Sequence, residues 1–427
     1  MNSSSPEPTR PSPCRGWYAL LAFGVVFTIA ILVMVAVRAP SSTDFRDFWN
    51  NAVHFRETGE IAADRGVHNY LPFFTIFMAP WGFLPLRVAA VLFVLFSLAL
   101  FALTVYLVEV LLHDGVGRTP WPALLVALAL ALPYVYACAV VGNLGLLLLF
   151  LVVATWFLAE RGHEWEAGLA LGLATVIKLI PGLLIVFFLL KGRWRLAVAA
   201  AAVTLVLGLG LPLGTLGWRR TLAEHQEFYR RAVEKHSAYQ TITSDKPIKA
   251  NYGNNALPIV LRRLLSPVNA GGASQPPLLV NVADLPGPTI FGIYTGLMVV
   301  LIGLSVVCTF RVRGRWSDGT PGDVDLLRVQ FGVGCCLMLL ASPLVWTHYL
   351  PLAYWPLAVI ADRAERTMRS TGRRPWVCSV TLLIWLAAAG LLAWPAARAA
   401  GAPLAGVLCL WVALSVLSLG RRSAPRV

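Results

Sequence analysis

Charge is what this sequence has least of. Only 13% of its 427 residues are charged, and Asp and Glu together number 21. A soluble domain carries about 25% charged residues, so an ordinary water-soluble globule is excluded. Nucleotide-binding signatures are also missing: there is no P-loop and no G-x-G-x-x-G turn. The seven cysteines (Cys14, Cys138, Cys308, Cys335, Cys336, Cys378 and Cys409) include no C-x-x-C pair. Most lie inside or at the ends of apolar runs, so they read as small buried hydrophobes, with no disulfide framework and no metal site.

What is present is apolar. Hydrophobic residues make up 58% of the chain, and the mean hydropathy is +0.70. Apolar runs of roughly 20 residues recur from end to end, about the length that spans a bilayer as a helix. They are continuous rather than alternating, which argues against a barrel. Lipid leaves only helices or closed barrels able to satisfy their backbone. The fold class is therefore an all-α polytopic membrane protein, and its first partner is the lipid bilayer. The net charge of +14 is no sign of a nucleic-acid partner, because the arginines sit in short loops where they orient the chain.

The spans predicted are 17–37, 88–112, 122–139, 144–159, 166–190, 196–213, 286–310, 326–342, 347–361, 376–394 and 402–419. The first is long and has no small-x-small cleavage site, so it reads as a retained span rather than a signal peptide. Residues 1–16 read as a disordered cytoplasmic tail, 17–420 as a single transmembrane domain, and 421–427 as a second cytoplasmic tail. The basic loops "ERGHEWE", "KGRWR", "RVRGRWSDG" and "DRAERTMRSTGRR" are all expected on the cytoplasmic side. One run, 166–190, separates two of them and would break the parity as a single span. It contains Lys178 and Pro181 near its middle. Proline breaks a helix, and an intramembrane lysine is costly unless it faces protein or a wet cavity. Two half-helices with "KLIP" at the apex repair the parity; a single kinked span is the alternative. Counting the half-helices separately gives about 12 passes, with both termini cytoplasmic.

The outer loops are then about 38–87 and 214–285, with shorter pieces "VVGNLG" and "SPLVWTHY". The unusual polar residues fall on that side: Asp44, Asp47, Asn143, Lys178 at the apex, Asn254, Asn255, Trp346 and His348. One extracytoplasmic cavity can collect them. Each also has a plainer reading: Asp44 as a helix cap, His348 as an interfacial histidine, the asparagines as turn residues. Chemically, a carboxylate at a membrane surface can take a proton from an attacking hydroxyl. Cations beside it can hold a phosphate leaving group. The aromatics suit a lipid-linked substrate or a sugar face.

The motifs along the chain resemble glycosyltransferase family 87, a bacterial family of the GT-C type that includes polyprenyl-phosphomannose-dependent α-mannosyltransferases. Asp44-Phe45 with Phe48-Trp49 resembles the family's D-F-x-x-aromatic opening. "NYLPFFTIFMAPWGFLP" (69–85), "VGNLGLLLLFL" (141–151), "AGLALGLATVIKLIPGLLIVFFLLKGRWR" (167–195), "NYGNNALPIVLRRLL" (251–265) and "ASPLVWTHYL" (341–350) follow in the family's order. Asn255, Ala256, Phe73 and Tyr349 depart from its pattern.

The resemblance implies a GT-C fold with its active site formed by extracytoplasmic loops of a bacterial cytoplasmic-membrane protein. It implies Asp44 as the catalytic base of an inverting transfer, needing neither a metal nor any other cofactor. Lys178 and His348 are expected at the donor phosphate; Arg46, Arg56, Asn143, Asn255, Trp346 and Tyr70 are further substrate-binding candidates. Asp47 has no family counterpart: it is a second carboxylate at the site or, the preferred reading, a solvated helix residue. The expected reaction moves a hexose, mannose, from a polyprenyl-phosphate sugar to a hydroxyl of a glycolipid, polysaccharide or protein. The same machinery using a pentose or glucose is one alternative, a lipid-linked sugar transporter without chemistry a second, and a structural membrane protein a third.

Overall fold

The computed structural model describes residues 15–38, 44–61, 69–113, 120–244, 251–271, 276–310 and 321–420. Most of both expected tails and the basic loop 311–319 lie outside the described residues. Within them the elements are helical, and one isolated bridge pairs Asn254 with Trp346.

The long apolar runs form α1 (Arg15–Arg38), α4 (Leu86–Leu112), α5 (Trp121–Val141), α6 (Gly145–Glu160), α14 (Gly287–Phe310), α15 (Pro321–Leu340), α16 (Tyr354–Thr371), α17 (Trp376–Gly390) and α19 (Ala402–Gly420). Among the described residues six helical stretches are long and apolar enough to cross a membrane. Their apolar residues face both ways, as in lipid. On α14, Leu301 is buried while Val299, Val300 and Ile302 are exposed. The stretches between carry shorter helices: α2 (Asp44–Thr58), α3 (Pro72–Met78), α11 (Trp218–Phe228), α12 (Ala238–Thr243), α13 (Leu257–Leu265) and α18 (Pro395–Ala399).

The run 166–190 is broken where the sequence places its lysine. Helix α7 (Glu164–Ile177) ends at Lys178, whose backbone is extended at φ −150°, ψ 128°. A short 3-10 turn, Ile180–Gly182, leads into α8 (Leu183–Leu190). The chain then enters α9 (Trp194–Leu205), which runs through a π turn into α10 (Leu211–Leu216).

Two observations show that the chain reverses at the lysine. Arg193 Nη1 lies 2.6 Å from Glu164 Oε1, joining the two ends of the segment. Helices α7 and α9 also run parallel. A Cβ at Gly168 would fall 2.4 Å from Ala199 Cβ, and one at Gly172 would fall 2.6 Å from Val203 Cβ. The spacing Gly168-x-x-x-Gly172 is what lets the two backbones approach, a device suited to lipid, where close packing carries association. Both basic loops flanking this hairpin therefore lie at one end of the bundle, as the charge pattern requires.

That end is tied by ion pairs, all but Arg366–Asp362 joining different helices. Arg328 of α15 bridges to Glu160 of α6, and Arg366 of α16 reaches Asp362 at 2.8 Å and Asp325 at 3.7 Å. Above it a stacked core holds the centre, with Trp156 on Phe331 at 4.5 Å between centroids. At the opposite end converge the start of α2, the 142–145 turn, the hairpin apex and the 342–349 segment.

Candidate active site

Helix α2 begins at Asp44, and its first turn carries both acids, Asp44 and Asp47. Acidic residues there complement the helix dipole. The helix buries Phe45, Phe48, Asn51 and Ala52. Phe45 meets Phe93 at 4.9 Å and Trp81 edge-on at 6.3 Å. Residues three apart on a helix share a face, so Asp44 and Asp47 point together, and both line a cavity of about 700 Å³.

The 142–145 turn locks the first carboxylate. Gly142 ends α5 with φ +64°, a conformation that costs a side-chain-bearing residue strain. A Cβ there would also fall 2.6 Å from Phe45 Cβ, and one at Gly145 would fall 2.5 Å from the His348 carbonyl oxygen. Between these glycines sits Asn143, buried. Its Nδ2 donates to Asp44 Oδ2 at 2.7 Å, and its Oδ1 accepts from the Gly145 N–H at 3.1 Å. The amide thus has a fixed orientation and holds the carboxylate by one hydrogen bond.

His348 lies on a 3-10 helix, Thr347–Ala353. Its Nε2 is 3.5 Å from Asp44 Oδ2, and its ring stacks with Trp346 at 6.4 Å and 18°. Burial, and after it the Lys178 ammonium, pushes the imidazole down to about 3. His348 is therefore neutral at neutral pH, with one ring nitrogen able to donate and the other to accept.

The loop before α13 holds this segment in place. Asn254 Oδ1 accepts from the backbone N–H of Ala256 at 3.1 Å and of Val345 at 3.2 Å. The Asn255 N–H donates to the Val345 carbonyl at 2.6 Å, and its Nδ2 donates to the Gly253 carbonyl at 3.1 Å.

At the apex, Lys178 Nζ stands 3.5 Å from the Tyr349 ring centroid and 5.4 Å from that of Tyr70. Aromatic faces attract a cation electrostatically, so the two rings seat the ammonium in the same cavity as Asp44. Burial raises both tyrosine hydroxyls well above their ordinary range, with the Asp44 carboxylate adding to the effect. They remain neutral donors. Most of the rest of the wall is apolar and includes Val176, Ile177, Ile180 and Phe228, with Asn69, Ser237 and Ser342 as polar members.

The structure thus brings together Asp44, Asn143, Lys178, Tyr70, Trp346 and His348. It changes the reading of four other candidates. Asp47 lines the cavity beside Asp44 instead of standing apart on a solvated face. Asn255 is buried and lines no cavity described here; it anchors the 345–347 segment. Arg46 lies on α2 outside the cavity lining. Arg56 donates from Nη1 to the Gly82 carbonyl at 2.6 Å, fastening α2 to the loop after α3. Tyr349, the closest ring to Lys178, was not among the expected site residues. Its signal was its standing as a departure from the pattern, next to His348.

Residues 68–343 match the profile of glycosyltransferase family 87. The chain belongs to this family. Two relatives are similar over a shorter stretch: the alpha-(1->3)-arabinofuranosyltransferases of Mycobacterium tuberculosis strains CDC 1551 and H37Rv, each 28% identical over 204 residues. The alignment covers 46% of this chain and 47% of each relative, so the match spans about half the length of these proteins. No solved structure matches the chain. Membership of family 87, with the multi-pass helical architecture, places the chain among the membrane proteins of a GT-C-type glycosyltransferase family. The site built on Asp44 spans residues inside and just outside the matched region.

Proposed function

We propose that the protein is an inverting glycosyltransferase that moves a sugar from a polyprenyl-phosphate carrier to an acceptor hydroxyl on the outer side of the cytoplasmic membrane. The observation that carries this reading is the shared cavity: a carboxylate oriented by Asn143 faces the same space as a lysine seated on two tyrosines, beside an apolar wall. In the reaction Asp44 takes the proton from the acceptor hydroxyl. The acceptor oxygen forms its bond to the anomeric carbon as the bond from that carbon to the phosphate oxygen breaks. Polyprenyl phosphate leaves with the electron pair, its charge met by the Lys178 ammonium and by a donated hydrogen bond from neutral His348. One displacement inverts the anomeric centre, so a β-linked donor yields an α-glycoside without a covalent enzyme intermediate. The apolar wall suits the prenyl chain, and the donor is the only cosubstrate the scheme requires.

Two donor sugars follow from different observations. The name shared by the two relatives favours arabinofuranose, a pentose. The motif pattern, with its likeness to polyprenyl-phosphomannose-dependent enzymes, favours mannose. Incubating the purified full chain with labelled polyprenyl-phosphate arabinofuranose or polyprenyl-phosphate mannose and a membrane extract decides between them. One donor is expected to yield an Asp44-dependent labelled product. Carrier-linked sugar that crosses vesicles without transfer, undiminished in Asp44→Asn, would establish a transporter instead.

A further inference from the structure

Behind the Trp346–His348 segment lies a second cavity, of about 870 Å³. Trp346 and His348 line both cavities, so they form a shared wall. The second cavity is bounded by α1, α5, the 251–253 turn and α18; its lining has an apolar side on α1 and α5 and two arginines, Arg38 and Arg398. Among the described residues its lining contains no carboxylate, whereas the first has two. The guanidinium of Arg398 lies over the Tyr252 ring at 4.7 Å from the centroid. Its Nη2 donates to Thr347 Oγ1 at 3.3 Å, one residue from His348. Its Nε is buried and has no hydrogen-bond partner among the described residues. The volume is within the usual range for ligand sites, about 300–1,000 Å³.

The Arg398 guanidinium contributes to the lining of this cavity beside two aromatic rings. A saccharide suits such a wall: its hydroxyl and ring oxygens accept from the part of the guanidinium that lines the cavity, while its C–H faces pack on Tyr252 and Trp346. The donor's prenyl chain and phosphate already have the first cavity, with its apolar wall and Lys178. We propose that the second cavity is the acceptor site. It holds the saccharide chain that receives the transferred sugar, and Arg398 is its specificity-determining residue. The two substrates would then meet at the Trp346–His348 wall, where the acceptor hydroxyl reaches Asp44. This assignment rests on the glycosyl-transfer reading and adds the place and chemical class of the acceptor.

Equilibrium binding tests it without needing turnover. The full chain carrying Asp44→Asn is titrated in nanodiscs with radiolabelled arabinofuranosyl and mannosyl oligosaccharides and, separately, with labelled polyprenyl phosphate. Adding Arg398→Gln, or Tyr252→Leu as a second variant that keeps the cation, is expected to weaken binding of one oligosaccharide about tenfold or more. Polyprenyl-phosphate binding should change less than about twofold, whereas Lys178→Met should reverse the pattern. The assignment is overturned if Arg398→Gln weakens polyprenyl phosphate instead, if neither variant changes saccharide binding, or if neither oligosaccharide binds at millimolar concentration. Arg398-dependent saccharide binding with polyprenyl phosphate indifferent to Lys178 would sink the donor reading and leave the acceptor site standing.

Discussion

Lys178 and Lys191 stand at the two ends of one hairpin arm in different surroundings. Lys191, where α8 ends, is buried; its Nζ donates to the Thr309 carbonyl at 2.6 Å and to Gln330 Oε1. Nearby, Arg193 is paired with Glu164, and Arg328 with Glu160. At this end cations meet fixed oxygens, and the bonds join helix to helix. Lys178, at the apex, is bracketed by the rings of Tyr349 and Tyr70 and lines a cavity that also contains two carboxylates. Aromatic faces attract an ammonium electrostatically. A lysine bound to fixed protein oxygens serves the fold; a lysine seated on rings beside a cavity can serve a ligand.

Substitutions can break this comparison. The largest effect is expected from Asp44→Asn, which keeps an oxygen for Asn143 to bond but cannot accept a proton. Turnover should fall by about 10²–10⁴ with donor binding and thermal midpoint unchanged; near-normal turnover would remove Asp44 from the chemistry.

The two lysines should then separate cleanly. Lys178→Met should raise the donor KM about tenfold or more with little change in thermal unfolding. Lys191→Met strips the donor from two buried acceptors and should cost about 1–3 kcal/mol of stability, leaving activity per folded molecule intact. Exchanged outcomes would invert the assignment of the two ends.

Gly142→Ala tests the turn. The strain of φ +64° and the contact with Phe45 should cost on the order of 1–3 kcal/mol, and a loss of kcat beyond the loss of folded protein would show that Asn143 has left Asp44.

The smallest effect concerns pH. Because the folded imidazole of His348 is pushed down to about 3 from an ordinary 6.5, protonation favours the unfolded chain. Its contribution to stability is full above about pH 6.5 and is lost progressively as pH falls towards 3. Activity should show no imidazole inflection between about pH 5 and 8. His348→Gln should therefore flatten the acid limb of thermal stability without moving the pH–rate profile.

Much of the fold was legible in the sequence because lipid makes a single demand, a continuous apolar helix of set length. The expected runs at 88–112, 122–139 and 402–419 differ from α4, α5 and α19 by three residues or fewer at either end. The break at Lys178 was legible too, since an ammonium, a proline and an awkward charge parity coincide there. The site was only partly legible. Asp44, Lys178 and His348 stood out by residue type in a greasy chain, but Asn255 and Arg56 have the same chemistry and turned out to fasten backbone. Asp47 misled in the opposite direction, because a solvated and a cavity-facing acid look alike in one dimension.

Composition and hydropathy alone determined that this chain is a helical membrane protein and where most of its long apolar helices run, whereas the expected loop 362–374 is largely the charged end of α16 (Tyr354–Thr371). Those properties depend on local water-to-lipid transfer, which is a sum over neighbouring residues. Only the tertiary structure decided which charges meet. Asp44 and His348 are 304 positions apart, and their 3.5 Å approach depends on two glycines letting the 142–145 turn sit against Phe45 and the His348 backbone. Close packing between distant segments is set by side-chain volume and backbone shape in three dimensions, and no local pattern records it.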